Sequence, residues 1–515
     1  MDYALAVLSG ALLALAFPKF GHPIVALVAI VPLLVALSGW RGRRGALPGV
    51  GPGRGFLLAA LAGIVHYAGA LYWVAAVVHT YGGLTWPLAV LATGALVLYM
   101  TIYTAAAGAV IGLFIRRLGL PGLWLAPVVW VSFEYARGHV LGGFPWIPLG
   151  AAVATLLPVA QIASLIGVYG LSYVLAMFST RVAVAMTARR RAAVSAAIAA
   201  VVLLASISWW GGSRIRDAAL LEGTTPFTVG LVQGNVPQAE KWNPALGGEI
   251  LARYLSMTRE AVAAGAGLVL WPESSTPFFF DEDPFNAQAV RNTVRESGTP
   301  LLFGTDEMDE GPPRRFYNSA FMLAPDGATA AVYRKIHLVP FGEYVPLRRL
   351  LFFVAPLVES VSDFAPGTQV TMLPVAGHMA STAICYEVVY PHLIRRAVLE
   401  GSELLTTVTN DAWYGGSSAP YQHYEMARLR AIEQGRYLAR AANTGISAIV
   451  DPYGRETARA DLFETTVVTG EVRFIQARTV YATIGDVVPQ MAVLVTLLGL
   501  AAALWRRPDR GFGDR

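Results

Sequence analysis

Three residues that together could catalyse acyl transfer each follow a short apolar run. Glu273 follows "LVLWP", Lys335 follows "AVYR", and Cys385, the only cysteine in 515 residues, follows "STAI". In open α/β sheets, reactive groups gather just past the carboxyl ends of strands. A carboxylate can accept the proton of a thiol, and a lysine ammonium favours the thiolate and can stabilise an oxyanion. These three residue types therefore suffice for nucleophilic acyl transfer.

Each of the three residues also has an ordinary interpretation. Taken singly, Glu273 and Lys335 are typical of surface or ion-pair residues, and a lone cysteine is more often a buried structural residue than a nucleophile. Competing catalytic patterns are not found in the sequence: none of the eight histidines belongs to an H-E-x-x-H or similar ligand pair, and there is no G-x-S-x-G motif. We therefore expect no metal and no cofactor.

Residues 212–485 are predicted to form an α/β domain that positions these residues. Near-continuous apolar runs are typical of strands buried on both faces. The predicted strands are "FTVGLVQGNV", "GLVLWPES", "TPLLFGTD", "ASTAICYE" and "ELLTTVTN", and the predicted helices lie near 246–264, 284–297, 390–400 and 421–441.

The rest of the chain has the composition of a membrane protein. The sequence is 55% hydrophobic and only 14% charged, against about 25% charged residues in soluble domains. Eight apolar runs are long enough to be predicted as membrane spans: 3–18, 23–39, 56–78, 85–115, 120–136, 156–179, 191–210 and 486–505. The net charge of +5 does not indicate nucleic-acid binding, because the arginines cluster beside apolar segments.

The arginine clusters predict the orientation of the spans. Basic residues concentrate in alternate connections and after the last span, at 41–54, 116–117, 189–191 and 506–510. The positive-inside rule places these segments and both termini in the cytoplasm. The predicted organisation is therefore a transmembrane domain of seven helices (1–211), an extracytoplasmic domain (212–485), and a final helix with a cytoplasmic tail (486–515).

Three motifs resemble the signatures of the nitrilase, or carbon–nitrogen hydrolase, superfamily. They are "LVLWPES" (268–274), "YRKIHLVPFGEYVP" (333–346) and "AICYE" (383–387). This resemblance implies an αββα sandwich for the outer domain, with Glu273 as general base, Lys335 as oxyanion stabiliser and Cys385 as nucleophile. It also implies that Glu343 is a second carboxylate that holds the lysine or assists the base.

Further motifs resemble the apolipoprotein N-acyltransferases, membrane-bound members of that superfamily. They are "LVQGNVPQAEKW" (231–242), "TNDAWYG" (409–415) and "FEYARGHVLGGFPW" (133–146). The resemblance implies an enzyme of the bacterial inner membrane with its catalytic domain in the periplasm. The donor would be a phospholipid, usually phosphatidylethanolamine, and the acceptor the α-amine of the S-diacylglyceryl cysteine at a lipoprotein N-terminus.

Several other residues are candidates for supporting roles. The backbone N–H groups of Tyr386 and Glu387 could complete an oxyanion hole, or their side chains could hold the turn after the nucleophile. Trp242 and Trp413 could contact acyl chains or pack in the core.

A further candidate segment is "PLRRLLFFVAPLVESVSDF" (346–364), which combines the basic pair Arg348 and Arg349 with an apolar tip that includes Phe352 and Phe353. We interpret it as a lid at the lipid interface, the alternative being a helix packed on the domain.

Two other functions remain open at this point. A membrane-anchored amidase acting on a small substrate would need a water-accessible pocket and no apolar lid. A transporter or scaffold would not need the three reactive residues, and would normally carry charged residues in mid-span.

Overall fold

A computed structural model of the protein describes residues 1–309, 311, 314–340, 342–344 and 364–505. Four of the candidate substrate-binding residues, together with most of the predicted lid, lie outside the described residues: Arg348, Arg349, Phe352 and Phe353.

The N-terminal half of the chain is helical. Its α-helices are α1 (Asp2–Ala14), α2 (Val31–Leu37), α3 (Pro52–Ala70), α4 (Trp73–Thr80), α5 (Trp86–Leu118), α6 (Leu120–Trp124), α7 (Ala126–Arg137), α8 (Leu157–Ala160), α9 (Ala163–Thr187) and α10 (Arg190–Asp217). Short 3₁₀ turns lie at Pro23–Leu27, Val140–Gly142, Leu149–Val153 and Ala219–Leu221.

Fewer helices than predicted are individually long and apolar enough to cross a membrane. Within the described ranges four qualify, namely α5, α9, the helix that begins at Arg190, and the helix at Val487–Trp505. The pair α3 and α4 adds a fifth if its 55° bend lies within one span. The predicted spans at 3–18, 23–39 and 120–136 correspond to shorter helices. The number of eight spans therefore stays a prediction.

Close packing between α3 and α5 depends on glycine. A Cβ atom at Gly55 would lie 2.5 Å from the carbonyl oxygen of Gly108, and a Cβ atom at Gly108 would lie 2.2 Å from the Cβ of Ala59. Small residues at such contacts let two helix backbones approach closely, which is a common way to pair helices in a bilayer.

The C-terminal half forms two six-stranded sheets. The first has the order β12-β1-β2-β3-β4-β5 and the second β11-β10-β9-β8-β7-β6. The strands are β1 (Phe227–Gln233), β2 (Leu268–Leu270), β3 (Leu301–Asp309), β4 (Arg315–Leu323), β5 (Thr329–Arg334), β6 (Leu373–Val375), β7 (His378–Ile384), β8 (Leu404–Thr409), β9 (Leu438–Ala442), β10 (Ser447–Val450), β11 (Glu456–Ala460) and β12 (Thr466–Val472).

Helices cover the outer face of each sheet. They are α11 (Gly247–Ala263) and α12 (Pro284–Ser297) on the first sheet, α13 (Pro391–Leu399) and α14 (Ala419–Gln434) on the second, followed by α15 (Val480–Ile484) and α16 (Val487–Trp505). Apolar side chains of both sheets, such as Leu231, Leu270 and Val408, share one buried core between the sheets. The layers are therefore helix, sheet, sheet, helix, in agreement with the predicted α/β domain.

Three of the four predicted helices of this half are found within two residues of their predicted ends, and the fourth is partly wrong. The predicted helix at 421–441 ends at Gln434, and residues 438–442 form β9. Gly435 has a φ of +63°, which terminates the helix at low cost because glycine lacks a Cβ. The residues that follow pair with β8 and β10 instead.

Candidate active site

The three predicted catalytic residues converge between the two sheets. Cys385 directly follows β7 of the second sheet, Lys335 directly follows β5 of the first, and Glu273 lies three residues past the end of β2. All three side chains are buried. The strands thus deliver a thiol, an ammonium and a carboxylate to one edge of the sandwich.

Lys335 is held by two carboxylates. Its Nζ atom lies 3.2 Å from Oε1 of Glu273 and 2.8 Å from Oε1 of Glu343. Asn318, on β4, donates from Nδ2 to the same two oxygen atoms, at 2.8 Å from Glu273 and 2.9 Å from Glu343. The contact of Glu343 with the lysine fits the first of the two roles that the sequence resemblance implied for it, and the role itself stays a prediction.

Backbone groups and a second lysine complete the surroundings of Glu273. The backbone N–H of Asn410 donates to Glu273 Oε2 at 2.9 Å, and Nζ of Lys241 donates to the Glu273 carbonyl oxygen at 2.9 Å. Asn318, Asn410 and Lys241 were not selected from the sequence. Lys241 lies in the motif "LVQGNVPQAEKW" and Asn410 in "TNDAWYG". The resemblance therefore pointed to both segments, but the sequence does not show which residue of each motif faces the site.

The charges of the network set the protonation state of the site. Burial alone would raise the pKa of Glu273, but the ammonium of Lys335 and the Asn318 hydrogen bond outweigh it and hold that pKa below its usual value. Burial would lower the pKa of Lys335, and Glu343 and Glu273 together keep it well above its usual value. Burial, with the Glu273 charge, raises the pKa of the Cys385 thiol. The site at rest therefore holds a carboxylate, an ammonium and a protonated thiol.

Cys385 occupies a strained turn. Its φ is +52°, in the left-handed region that a residue with a Cβ rarely adopts. The turn continues as a 3₁₀ helix over Cys385–Val389. Such strain persists only where the surroundings enforce it, and it is typical of functional sites.

Glu387 is one of the groups that enforce this turn. Its Oε2 accepts the Ile384 N–H at 2.8 Å, and its Oε1 accepts the N–H groups of Ile336 and His337 at 2.6 and 3.1 Å and the Tyr333 hydroxyl at 2.8 Å. Burial raises the pKa of Glu387 to about 7. The sequence left two roles open for Glu387, a backbone oxyanion donor or a side chain that holds the turn. The geometry favours the second, because the Glu387 side chain ties the nucleophile turn to β5 and the residues that follow it.

Tyr386 faces aromatic residues of the helical N-terminal half of the chain, which we call the membrane half. Its ring lies 6.0 Å from that of Phe144 and 6.3 Å from that of Trp146, both in stacked orientation, and its hydroxyl accepts a hydrogen bond from Tyr390 at 3.2 Å. The end of the motif "FEYARGHVLGGFPW" (133–146) thus contacts the residue that follows Cys385 in the chain.

The two candidate tryptophans lie at the surface rather than in the core. Trp242 is 43% exposed, with its ring 5.9 Å from Phe279. Trp413 is 37% exposed and packs edge-on against Tyr81 at the end of α4, at 4.8 Å. Their contact with acyl chains stays a prediction, while core packing is wrong for both.

Comparison with known proteins first defines the class. Residues 228–481 match the family model of the carbon–nitrogen hydrolases. Among solved structures, an amidase from Nesterenkonia sp. is 22% identical, with 50% of this chain and 92% of that chain covered and a TM-score of 0.38. Nit3 of Saccharomyces cerevisiae, a nitrilase-superfamily member, is 18% identical, with 52% and 94% covered and a TM-score of 0.39. The match to the family model identifies the C-terminal half as a nitrilase-like α/β domain.

The membrane half and the full-length relatives define the family. Residues 9–181 match the apolipoprotein N-acyltransferase N-terminal domain. The apolipoprotein N-acyltransferase of Geobacter metallireducens is 40% identical, with 98% of this chain and 96% of the relative covered. That of Methylococcus capsulatus is 33% identical with the same coverage. The chain belongs to the apolipoprotein N-acyltransferase family, and it is an acyltransferase rather than an amidase, transporter or scaffold.

Proposed function

We propose that the protein moves an acyl chain from a phospholipid, through a thioester on Cys385, to the α-amine of the N-terminal S-diacylglyceryl cysteine of lipoproteins. The family membership over nearly the whole chain supports this reaction. The observation that carries the mechanism is the convergence of Glu273 and Lys335 at a buried thiol in a strained turn.

In the first half-reaction, Cys385 attacks the ester carbonyl of the phospholipid. Because the thiol is protonated at rest, its proton passes to the Glu273 carboxylate as the carbon–sulfur bond forms. The carbonyl oxygen becomes an oxyanion, which the Lys335 ammonium stabilises. The tetrahedral intermediate then expels the glycerol oxygen, which takes the proton from Glu273. The products are the acyl-thioester and a lysophospholipid.

In the second half-reaction, the lipoprotein amine attacks the thioester. Glu273, again a carboxylate, takes a proton from the attacking nitrogen, and Lys335 stabilises the new oxyanion. Breaking the carbon–sulfur bond releases the thiolate of Cys385, which recovers the proton from Glu273. The product is an amide, and the enzyme returns to its resting protonation state.

The setting of this reaction is also part of the proposal. We propose phosphatidylethanolamine as the usual donor, the bacterial inner membrane as the location and the periplasm as the compartment of residues 212–485. The exposed apolar side chains of α5, α10 and α16, such as Leu91, Val201 and Leu498, suit contact with lipid. The contact of Phe144 and Trp146, in the segment after α7, with Tyr386 brings the membrane half close to the nucleophile turn, which supports a lipid donor.

Mass spectrometry of the purified enzyme tests the proposal. Incubation with phosphatidylethanolamine alone should leave one hydroxylamine-sensitive acyl chain on the protein and release lysophospholipid. A diacylglyceryl-cysteine peptide should then accept the chain on its amine. The Cys385→Ala variant should carry no chain, and Cys385→Ser should be nearly inactive because an unactivated hydroxyl is the poorer nucleophile. Transfer by Cys385→Ala to the peptide would show the covalent mechanism to be wrong.

A further inference from the structure

A second buried polar cluster contacts the backbone of Cys385. It consists of Thr409, Asp411, His423 and Arg440, all fully buried. The Nε2 atom of His423 lies 3.1 Å from the backbone carbonyl oxygen of Cys385. None of these residues was selected as a functional residue from the sequence.

The ring of His423 is fixed on both nitrogens. Its Nδ1 lies 2.9 Å from Oδ1 of Asp411 and 3.2 Å from Nη2 of Arg440, which also donates to Oδ2 of Asp411 at 2.7 Å. Burial would raise the pKa of Asp411, but Arg440 and His423 lower it to about 2, so this carboxylate is ionised. Because a carbonyl oxygen can only accept, Nε2 of His423 carries the hydrogen and donates it to Cys385.

The same cluster also reaches the thiol. The hydroxyl of Thr409 donates to Oδ1 of Asp411 at 3.1 Å. Burial raises the pKa of the Cys385 thiol, and Thr409 lies close enough to offset part of that rise. Asp411 therefore links Thr409 to His423, the member of the cluster that contacts the Cys385 backbone. The membrane half adds a further constraint, because Trp146 stacks on the His423 ring at 5.7 Å and donates from Nε1 to the neighbouring Gln422 at 2.9 Å.

The hydrogen bond from His423 to the Cys385 carbonyl also determines where the Tyr386 N–H points. The Cys385–Tyr386 peptide is trans, so its C=O and its N–H point in opposite directions. A hydrogen bond that fixes the Cys385 carbonyl toward His423 also fixes the Tyr386 N–H away from it. We propose that His423 is a positioning residue, whose bond to the Cys385 carbonyl aims the Tyr386 N–H at the reacting carbonyl as the oxyanion donor that accompanies Lys335. This inference rests on the proposed role of Cys385 as nucleophile.

Single-turnover acylation by phosphatidylethanolamine, measured on the full chain in detergent, tests the inference. The His423→Leu variant removes the donor and should acylate about 10²-fold more slowly, the usual effect of losing one oxyanion donor, with an unchanged KM for the phospholipid. The His423→Gln variant retains an N–H donor and should recover at least tenfold. Alkylation of Cys385 by iodoacetamide forms no oxyanion, so its rate should stay within about threefold of wild type.

A matched control comes from another histidine–carboxylate pair of the same domain. His378 lies 2.7 Å from Glu403 and is half-exposed at the start of β7, so His378→Leu should acylate at the wild-type rate. If His423→Leu does not fold, Asp411→Asn, which removes the charge that fixes the ring, should show the same pattern with about a tenfold loss.

Two results would overturn the inference. One is wild-type acylation by His423→Leu. The other is an equal fall of acylation and alkylation in both His423→Leu and His423→Gln, which would indicate a purely structural residue. Retained transfer by Cys385→Ala would instead overturn the proposed function.

Discussion

Nζ of Lys335 lies 2.8 Å from Oε1 of Glu343, closer than the 3.2 Å that separates it from Glu273. The ammonium is therefore not paired with the proposed base alone. Glu343 is itself fixed, because its Oε2 accepts the Val339 N–H at 2.7 Å. One carboxylate thus holds the lysine in place, which leaves the other free to exchange a proton with Cys385.

Removal of the Glu343 charge should expose this division of roles. In Glu343→Gln the lysine keeps only Glu273 as an ionic partner, so it should pair more tightly with the base and make it a weaker proton acceptor. Hydrogen bonds to charged groups contribute about 1.5–3 kcal/mol, so we expect acyl-enzyme formation to slow about 10–100-fold. Single-turnover mass spectrometry of the Cys385 thioester measures this rate.

The control for this variant is Glu307→Gln. Glu307 accepts from Nε of the neighbouring Arg334 at 3.0 Å, outside the Lys335 network, so its removal should leave acylation within about twofold of wild type. Equal losses in Glu307→Gln and Glu343→Gln would mean that Glu343 has no specific role.

The protonated resting thiol predicts an unusual pH profile for alkylation. An ordinary thiol becomes reactive near pH 8.5. Burial and the Glu273 charge raise the pKa of Cys385, so its iodoacetamide reactivity should inflect above pH 9. Glu273→Gln removes the negative charge and should move the inflection to lower pH. Since Cys385 is the only cysteine, the reaction reports on this thiol alone.

Enzymatic acylation should depend on pH only in the acidic range, where the Glu273 carboxylate becomes protonated. The pKa of Glu273 is below its usual value, so the carboxylate is present above that value and is lost only as the pH falls through it. Acylation should therefore persist to pH 5. An alkylation inflection below pH 8.5, or loss of acylation between pH 7 and 5, would contradict the assigned protonation states.

The positions of Glu273, Lys335 and Cys385 could be predicted from the sequence because each residue directly follows or closely trails its own strand, while their catalytic roles stay a prediction. The supporting residues were harder to predict, since no local spacing relates them to the triad. Asn318, on β4, is 45 residues from its partner Glu273. In "TNDAWYG" the large side chain of Trp413 lies at the surface, whereas its neighbours Asn410 and Asp411 form the buried contacts. Only strand register and sheet packing decide which residue of a motif faces inward.

Gly304, a glycine on β3 that packs against the backbone around Glu273, is another contact that the sequence alone does not show, and it offers a further prediction. A Cβ atom on Gly304 of β3 would lie 2.5 Å from the Cα of Glu273, 2.8 Å from the Pro272 carbonyl oxygen and 2.8 Å from the Ser274 nitrogen. All three are backbone atoms and cannot move aside cheaply. Gly304→Ala should therefore displace Glu273, slow acylation at least tenfold and lower stability by about 1–3 kcal/mol, as overpacking typically does.

The matched control for Gly304 is Gly248 in α11. A Cβ atom there meets nothing within 4 Å, and alanine favours a helix more than glycine does, so Gly248→Ala should keep activity and gain up to about 1 kcal/mol. Thermal unfolding and single-turnover acylation compare the two variants. Full activity of Gly304→Ala would show that the β3 backbone does not constrain Glu273.

The membrane topology is the last prediction. Arginine-rich connections at 41–54, 116–117 and 189–191 place one side of the helices in the cytoplasm, and eight spans would return both termini to that side. Fusions of alkaline phosphatase, active only in the periplasm, and of green fluorescent protein, fluorescent only in the cytoplasm, distinguish the two compartments. A fusion after Gly212 should report the periplasm, and one after Arg510 the cytoplasm. The same compartment at both sites would exclude an odd number of crossings between them, and with it the arrangement of seven helices before the catalytic domain and one after.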